Sequence, residues 1–138
     1  MNEYFLEFSF EDGIIILEND GYSAWGYLLN PNSRELQKDV FLYSPRPPEP
    51  LIDREYIKNG NPPKLCEEYA AEGSFKSDIK ESSLSVVSSG LGDYCILIDN
   101  EPIAAIYSNK NRGYSKSLIK SGGYGIPWCN KKYTAVFT

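Results

Sequence analysis

Tyr4, Leu6, Phe8 and Phe10 alternate with Phe5, Glu7 and Ser9, the period-2 pattern of a strand with one buried and one solvated face. Asp12-Gly13 follows, a hairpin-turn signal because glycine takes a positive φ at no steric cost. The largely β-branched run from Ile14 to Glu18 then predicts the return strand. Asn19-Asp20-Gly21 marks the next turn, and Tyr22 to Leu29 reads as a third strand with Trp25, Tyr27 and Leu29 on one face. After the break at Asn30 to Ser33, residues 35–43 end in Val40-Phe41-Leu42-Tyr43 and predict a fourth strand pairing back on the third. The first 43 residues therefore read as an antiparallel meander.

Residues 44–63 change character and hold six of the nine prolines. Proline lacks an amide donor, so this stretch reads as an extended crossing over one face of the sheet. Lys64 to Ala71 predicts one short helix, with Leu65, Cys66 and Tyr69 on adjacent turns and Gly73 as its stop. Leu84 to Ser88, Tyr94 to Asp99 and Ile103 to Ser108 predict a second meander. Residues 109–125, rich in Asn, Ser, Gly and Lys, read as a long loop with a helical turn over 115–119. Tyr133 to Phe137 predicts a closing strand. The expectation is a single domain over residues 1–138, of the α+β class and β-rich. It has two antiparallel meanders, a Pro-rich crossing and one short helix.

Composition narrows the chemistry. A chain of 138 residues with 41% hydrophobic side chains is long enough to build one core, burying about two-thirds of its unfolded surface. It contains no histidine, which removes Ser-His-Asp and Cys-His catalysis, most zinc sites and any histidine pH switch. Cys66, Cys95 and Cys129 are an odd number with wide spacing, which fits free thiols in a reducing compartment. The N-terminus has no basic region ahead of an apolar one. No apolar run reaches the ~18 residues of a membrane span. A cytoplasmic protein with no membrane contact is the expectation.

The net charge of −5 conceals a division. Residues 1–101 carry all 19 acidic side chains and 8 of the 14 basic ones, a balance of −11. Residues 102–138 carry Lys110, Arg112, Lys116, Lys120, Lys131 and Lys132 and no acid. Such asymmetry speaks to partners more than to fold.

No constellation specifies a reaction, and no catalytic residue, cofactor or metal is expected. Asp53 with Glu55, or Glu67 with Glu68, supply the paired carboxyls of glycoside hydrolysis, yet 19 acids make chance pairs the rule. Asp12, Asp20, Asp78 and Asp93 lack an EF-hand spacing. Gly122-Gly123-Tyr124-Gly125 matches no nucleotide fingerprint and reads as turn geometry. Trp25, on an alternating face, reads as a packing residue. The basic segment around Arg112, Tyr114 and Lys116 pairs cations with a glycine and an aromatic ring, a pattern that binds phosphates or bases. A lysine-rich loop is more often a solvated face, and the net negative charge opposes polyanions, so nucleic acid is not expected. Eleven tyrosines against six phenylalanines supply rigid surface with polar tips, as protein interfaces use.

Two stretches carry a resemblance: Ala24-Trp25-Gly26-Tyr27-Leu28 with Asp39 to Tyr43 and Pro45, Pro47 and Pro48, and later Arg112 to Lys116 with Gly125-Ile126-Pro127-Trp128. They resemble short bacterial immunity proteins, the partners of secreted or contact-delivered toxins. The resemblance implies a cognate toxin as partner, such as a basic nuclease, and brings no catalytic residue. An acidic surface is what such a neutraliser needs. The first hairpin and Asp53, Glu55, Glu67, Glu68 and Glu72 are the candidates for it, with Tyr56 and Tyr69 as anchors. The rival reading is a binder of, or enzyme on, an anionic small molecule or nucleic acid at residues 109–120, through Arg112, Tyr114 and Lys116.

Overall fold

Strands β1 (Tyr4–Phe10), β2 (Gly13–Asn19), β3 (Ala24–Leu29) and β4 (Leu36–Tyr43) form a four-stranded antiparallel sheet in chain order, in a computed structural model that describes residues 3–138. The alternation in β1 sets the register: Phe10 lies opposite Gly13 and Tyr4 opposite Asn19, which turns Tyr4, Leu6, Phe8 and Phe10 toward the core.

A second sheet follows the order β5 (Leu84–Ser88), β6 (Tyr94–Ile98), β7 (Glu101–Ile106), β8 (Tyr114–Ser115) and β9 (Ile126–Pro127). β5 to β8 pair antiparallel, and β9 adds parallel to β8. The 109–125 segment is thus not purely loop. It contributes β8, and the chain turns at Lys116-Ser117 without forming a helix.

The two sheets enclose one core. Ile15, Leu17, Leu28, Val40 and Leu42 from the first meet Tyr94, Ile96, Ile98, Ala104 and Ile106 from the second, all buried. Each such aliphatic side chain removed from water contributes about 1.5–3 kcal/mol. Gly26 lies at the contact between sheets, where a β-carbon would stand 3.1 Å from the Ile96 side chain. At the first turn, the Tyr94 hydroxyl donates to the Asp12 carboxylate, so the two sheets are also joined at their rim.

Both outer faces carry a second layer. Trp25 and Phe41, pointing away from the central core, pack with Leu65, Cys66, Leu118 and Tyr124. Behind the other sheet, Ala105, Tyr107 and Tyr114 pack with Ile126, Trp128, Cys129 and Phe137. The 113–125 segment also caps the edge of β4: the Phe41 amide donates to the Tyr124 carbonyl at 3.0 Å, and Ser117 Oγ donates to the Leu42 carbonyl at 2.6 Å. An open strand edge is thereby occupied.

Both helices differ from expectation. No helix forms over 64–71. The Leu65 carbonyl accepts from the Glu49 amide, the Glu67 amide donates to the Glu49 carbonyl, and the Ala71 amide donates to the Ser117 carbonyl. A segment this short has little helical stability of its own, so pairing with its neighbours and burial of Leu65 prevail. The helix α1 instead occupies Arg54–Lys58, inside the proline-rich stretch but between its prolines. The Asp53 carboxylate caps it by accepting the Tyr56 amide at 3.0 Å, and Glu55 and Lys58 complement its dipole. At the C-terminus the expected strand over 133–137 is helix α2, Asn130–Phe137. Tyr133 and Phe137, one helical turn apart, stack at 5.7 Å, and Phe137 reaches the buried Tyr107 at 6.2 Å. Tyr133 and Phe137, four residues apart, fit both a period of two and a helical turn, and packing on Tyr107 selects the helix.

Candidate functional site

The outward side chains of β3 and β4 begin the site. Register places Trp25 opposite Phe41 and Tyr27 opposite Asp39. Trp25 is 3% exposed; its ring meets Phe41 edge-on at 5.5 Å and stacks with Tyr124 at 6.2 Å. Its indole N–H donates to the Pro63 carbonyl at 3.3 Å, and the Tyr124 hydroxyl donates to the Lys64 carbonyl at 2.7 Å. These two bonds hold the 62–64 backbone above the sheet and leave a cavity of about 230 Å³ beside it. Trp25, Tyr27 and Asp39 line one side and the 60–63 turn the other.

The cavity is electronegative. Burial pushes the Tyr27 phenol up, and the carboxylates of Glu18, Asp39 and Asp20 push it further. Loss of water around Asp39 raises its carboxyl, partly opposed by the Arg112 guanidinium. Glu18 is raised by burial and by Asp20.

Two further depressions lie around α1. Ile52, Ile57, Pro63, Tyr69 and Tyr124 line an apolar one of about 100 Å³. Pro50, Leu51, Ile52, Arg54, Cys66 and Glu68 line the other, of about 270 Å³. They share Ile52, and Pro63 joins the first of them to the Tyr27 cavity.

Of the acidic candidates, Glu68 lines the second depression, and Asp53, Glu55 and Glu67 adjoin its lining residues in the chain. Asp53 caps α1 and stands 3.4 Å from the Lys64 ammonium. Glu55, in the first turn of α1, and Glu67 are exposed. Glu68 pairs with Lys120, whose ammonium also lies 4.8 Å from the Tyr69 ring centre. Tyr56 is half-buried, with Lys64 at 4.3 Å from its ring centre and Tyr22 tilted against it at 5.9 Å. Glu72 lies apart, in a depression with Lys76, Glu101 and Lys116.

The structure does not assemble the basic trio into a cradle. Arg112 donates to the Gly122 carbonyl at 2.6 Å and faces Asp39. Tyr114 is buried edge-on against Tyr107 at 5.3 Å. Lys116 lies 5.0 Å from the Trp128 ring centre and 3.9 Å from Glu101. The basic tail folds back onto the acidic body, so the charge division along the chain is partly neutralised in space. Among the described residues no cluster of three or more Cys, Asp or Glu side chains is arranged to hold a metal.

Tyr27 and Asp39 are the site residues that sequence reasoning missed. Their signal was their outward phase on adjacent strands; Asn59-Gly60 and Asn61-Pro62 mark a turn, but nothing local places it over these two side chains. The chain matches no protein-family model, no curated protein and no solved structure, so its functional reading rests on this geometry.

Proposed function

We propose that the protein binds a basic protein partner and neutralises it, in the manner of the immunity proteins that its sequence resembles. The observation that carries this reading is the apolar surface on and around α1. Leu51 is 79% exposed, and Ile52 and Ile57 are exposed beside it in two depressions that share Ile52. Glu68 lines one of them, and Asp53, Glu55 and Glu67 adjoin its lining residues in the chain. Residues 49–72 carry six carboxylates against Arg54, Lys58 and Lys64. An apolar centre within a charged rim is how protein interfaces combine affinity with exclusion of wrong partners. The acidic rim steers a basic surface such as a nuclease active site, and the apolar centre holds it.

The test is complex formation with the proteins encoded in the flanking reading frames, measured by surface plasmon resonance. The double variant Glu55→Lys/Glu67→Lys is expected to slow association by about tenfold at low salt and by less at high salt. Leu51→Ala/Ile57→Ala is expected to speed dissociation. Unchanged binding in both variants, or no complex with the wild type, overturns the reading.

A further inference from the structure

We propose that the cavity over Tyr27, between Asp39 and the 60–63 turn, receives an arginine side chain of the protein partner. The identity of the partner rests on the function proposed above; the chemistry of the cavity does not.

Three features of the cavity converge on a planar cation. First, its floor is aromatic: Tyr27 is half-buried and its ring runs within 15° of parallel to the Trp25 ring, with centroids 6.5 Å apart. A guanidinium stacks on such faces and is attracted by their negative centres. Second, a carboxylate stands beside the floor. Asp39, paired in register with Tyr27 and still reached by solvent, offers two acceptor oxygens to the two-pronged edge of a guanidinium. Third, the potential is negative beyond that single pair, because Glu18 and Asp20 act on Tyr27 from the neighbouring strand and turn. An anion or a phosphate would meet the Asp39 carboxylate in the cavity, with Glu18 and Asp20 adding repulsion from outside its lining.

Arg112, the cation that acts on Asp39, does not satisfy the cavity. Arg112 acts on Asp39 from the side, but its guanidinium is committed to the Gly122 carbonyl at 2.6 Å and it does not line the space. The opposite wall, Pro62 and Pro63, is rigid and suits the methylene stem of a long side chain. Pro63 also forms part of the apolar depression beside α1. An arginine in this cavity would therefore belong to the same docking face, and its enclosure between the rings and the prolines, unlike exposure on the rim, lets its charge contribute to specificity.

The experiment is a heteronuclear NMR titration of the full chain with Nα-acetyl-arginine methylamide, and with its citrulline counterpart, in which a neutral urea replaces the guanidinium. Saturable shifts are expected at the Trp25 indole N–H and at the amides of Tyr27, Asp39 and Asn61. Binding should be weaker by about tenfold for the citrulline probe and for Asp39→Asn, and unchanged for Glu81→Gln, at an exposed carboxylate outside the cavity's lining. Asp39→Asn keeps the size and shape of the side chain, so its spectrum also reports that the fold is intact. No saturable shift at these positions, equal binding of both probes, or an unaffected Asp39→Asn overturns the cavity's assignment. The source of the arginine is read separately. A toxin complex weakened about tenfold by Asp39→Asn places the arginine on the partner. Intact probe binding with an undisturbed toxin complex overturns that placement. Intact probe binding with no toxin complex at all fails the proposed function, and leaves the cavity an arginine site.

Discussion

Gly113 lies directly against Val40: a β-carbon at Gly113 would stand 2.4 Å from the Val40 β-carbon and 2.7 Å from Cγ2. The close approach seats the start of β8 on β4, within reach of the hydrogen bonds from Ser117 to Leu42 and from Phe41 to Tyr124. The glycine beside Arg112 therefore serves packing between chain segments and does not open a phosphate cradle. Gly113→Ala is expected to destabilise the protein by about 1–3 kcal/mol, because Val40 is buried and cannot retreat. Gly123→Ala, where a β-carbon meets nothing within 4 Å, should change stability by less than about 0.5 kcal/mol. Urea denaturation of the two variants gives the comparison. Equal midpoints would mean that the 113–125 segment is not seated as described.

Within the central core the Tyr4 and Tyr43 hydroxyls are 2.8 Å apart, and the Asn19 amide approaches the Tyr43 oxygen at 3.4 Å. Removing either hydroxyl leaves a buried oxygen short of a partner. Tyr4→Phe and Tyr43→Phe should each cost about 1–3 kcal/mol, and the double variant about 1 kcal/mol less than their sum. Strict additivity in a double-mutant cycle would show that the two hydroxyls do not interact.

Stability should fall in alkali. Burial raises the phenols of Tyr4, Tyr27, Tyr43, Tyr94 and Tyr107 above their ordinary value of 10.0, and raises Tyr124 to about 12. Below pH 10.0 these groups are protonated in both the folded and unfolded chains, and their contribution is fully present. Between 10.0 and about 12 the unfolded chain releases protons that folded Tyr124 retains, so each pH unit removes up to ~1.4 kcal/mol per such tyrosine. The urea midpoint is expected to drop through this window, with most phenolate absorbance developing on unfolding. A midpoint that holds steady there would contradict the burial of these rings.

Thiol reactivity should divide the three cysteines. Cys66 and Cys95 are buried, Cys129 is half-buried, and all three are free. Burial pushes the Cys95 thiol up to about 12, away from the reactive thiolate. The native protein should take one equivalent of an aromatic disulfide reagent, located at Cys129 by mass spectrometry, and two more only in denaturant. Rapid labelling of Cys95 in the native state would refute this account.

The order of strands was legible because alternation is a local property. In β1 every second residue is apolar, the turns at Asp12-Gly13 and Asn19-Asp20-Gly21 punctuate it, and β1–β4 pair with sequence neighbours. β5 to β7 follow the same logic. No long-range information is needed to read them, and no helix of the described residues is long and apolar enough to cross a membrane.

The segments that failed to read locally are those whose backbone groups or rings are satisfied by distant parts of the chain. Residues 64–71 carry helical spacing but bond to Glu49 and Ser117; residues 133–137 alternate but lie on Tyr107 as a helix. The site divides in the same way. Exposed acids and tyrosines can be counted from the chain, whereas the cavity over Tyr27 exists because Trp25 and Tyr124 hold Pro63 and Lys64, 38 and 60 residues away, by single hydrogen bonds. Charge behaves likewise: a body of −11 and a tail of +6 stand apart in the sequence, and folding sets Lys120 on Glu68 and Arg112 beside Asp39. Local pattern depends on neighbours in the chain; sites and fields depend on neighbours in space, and only packing chooses those.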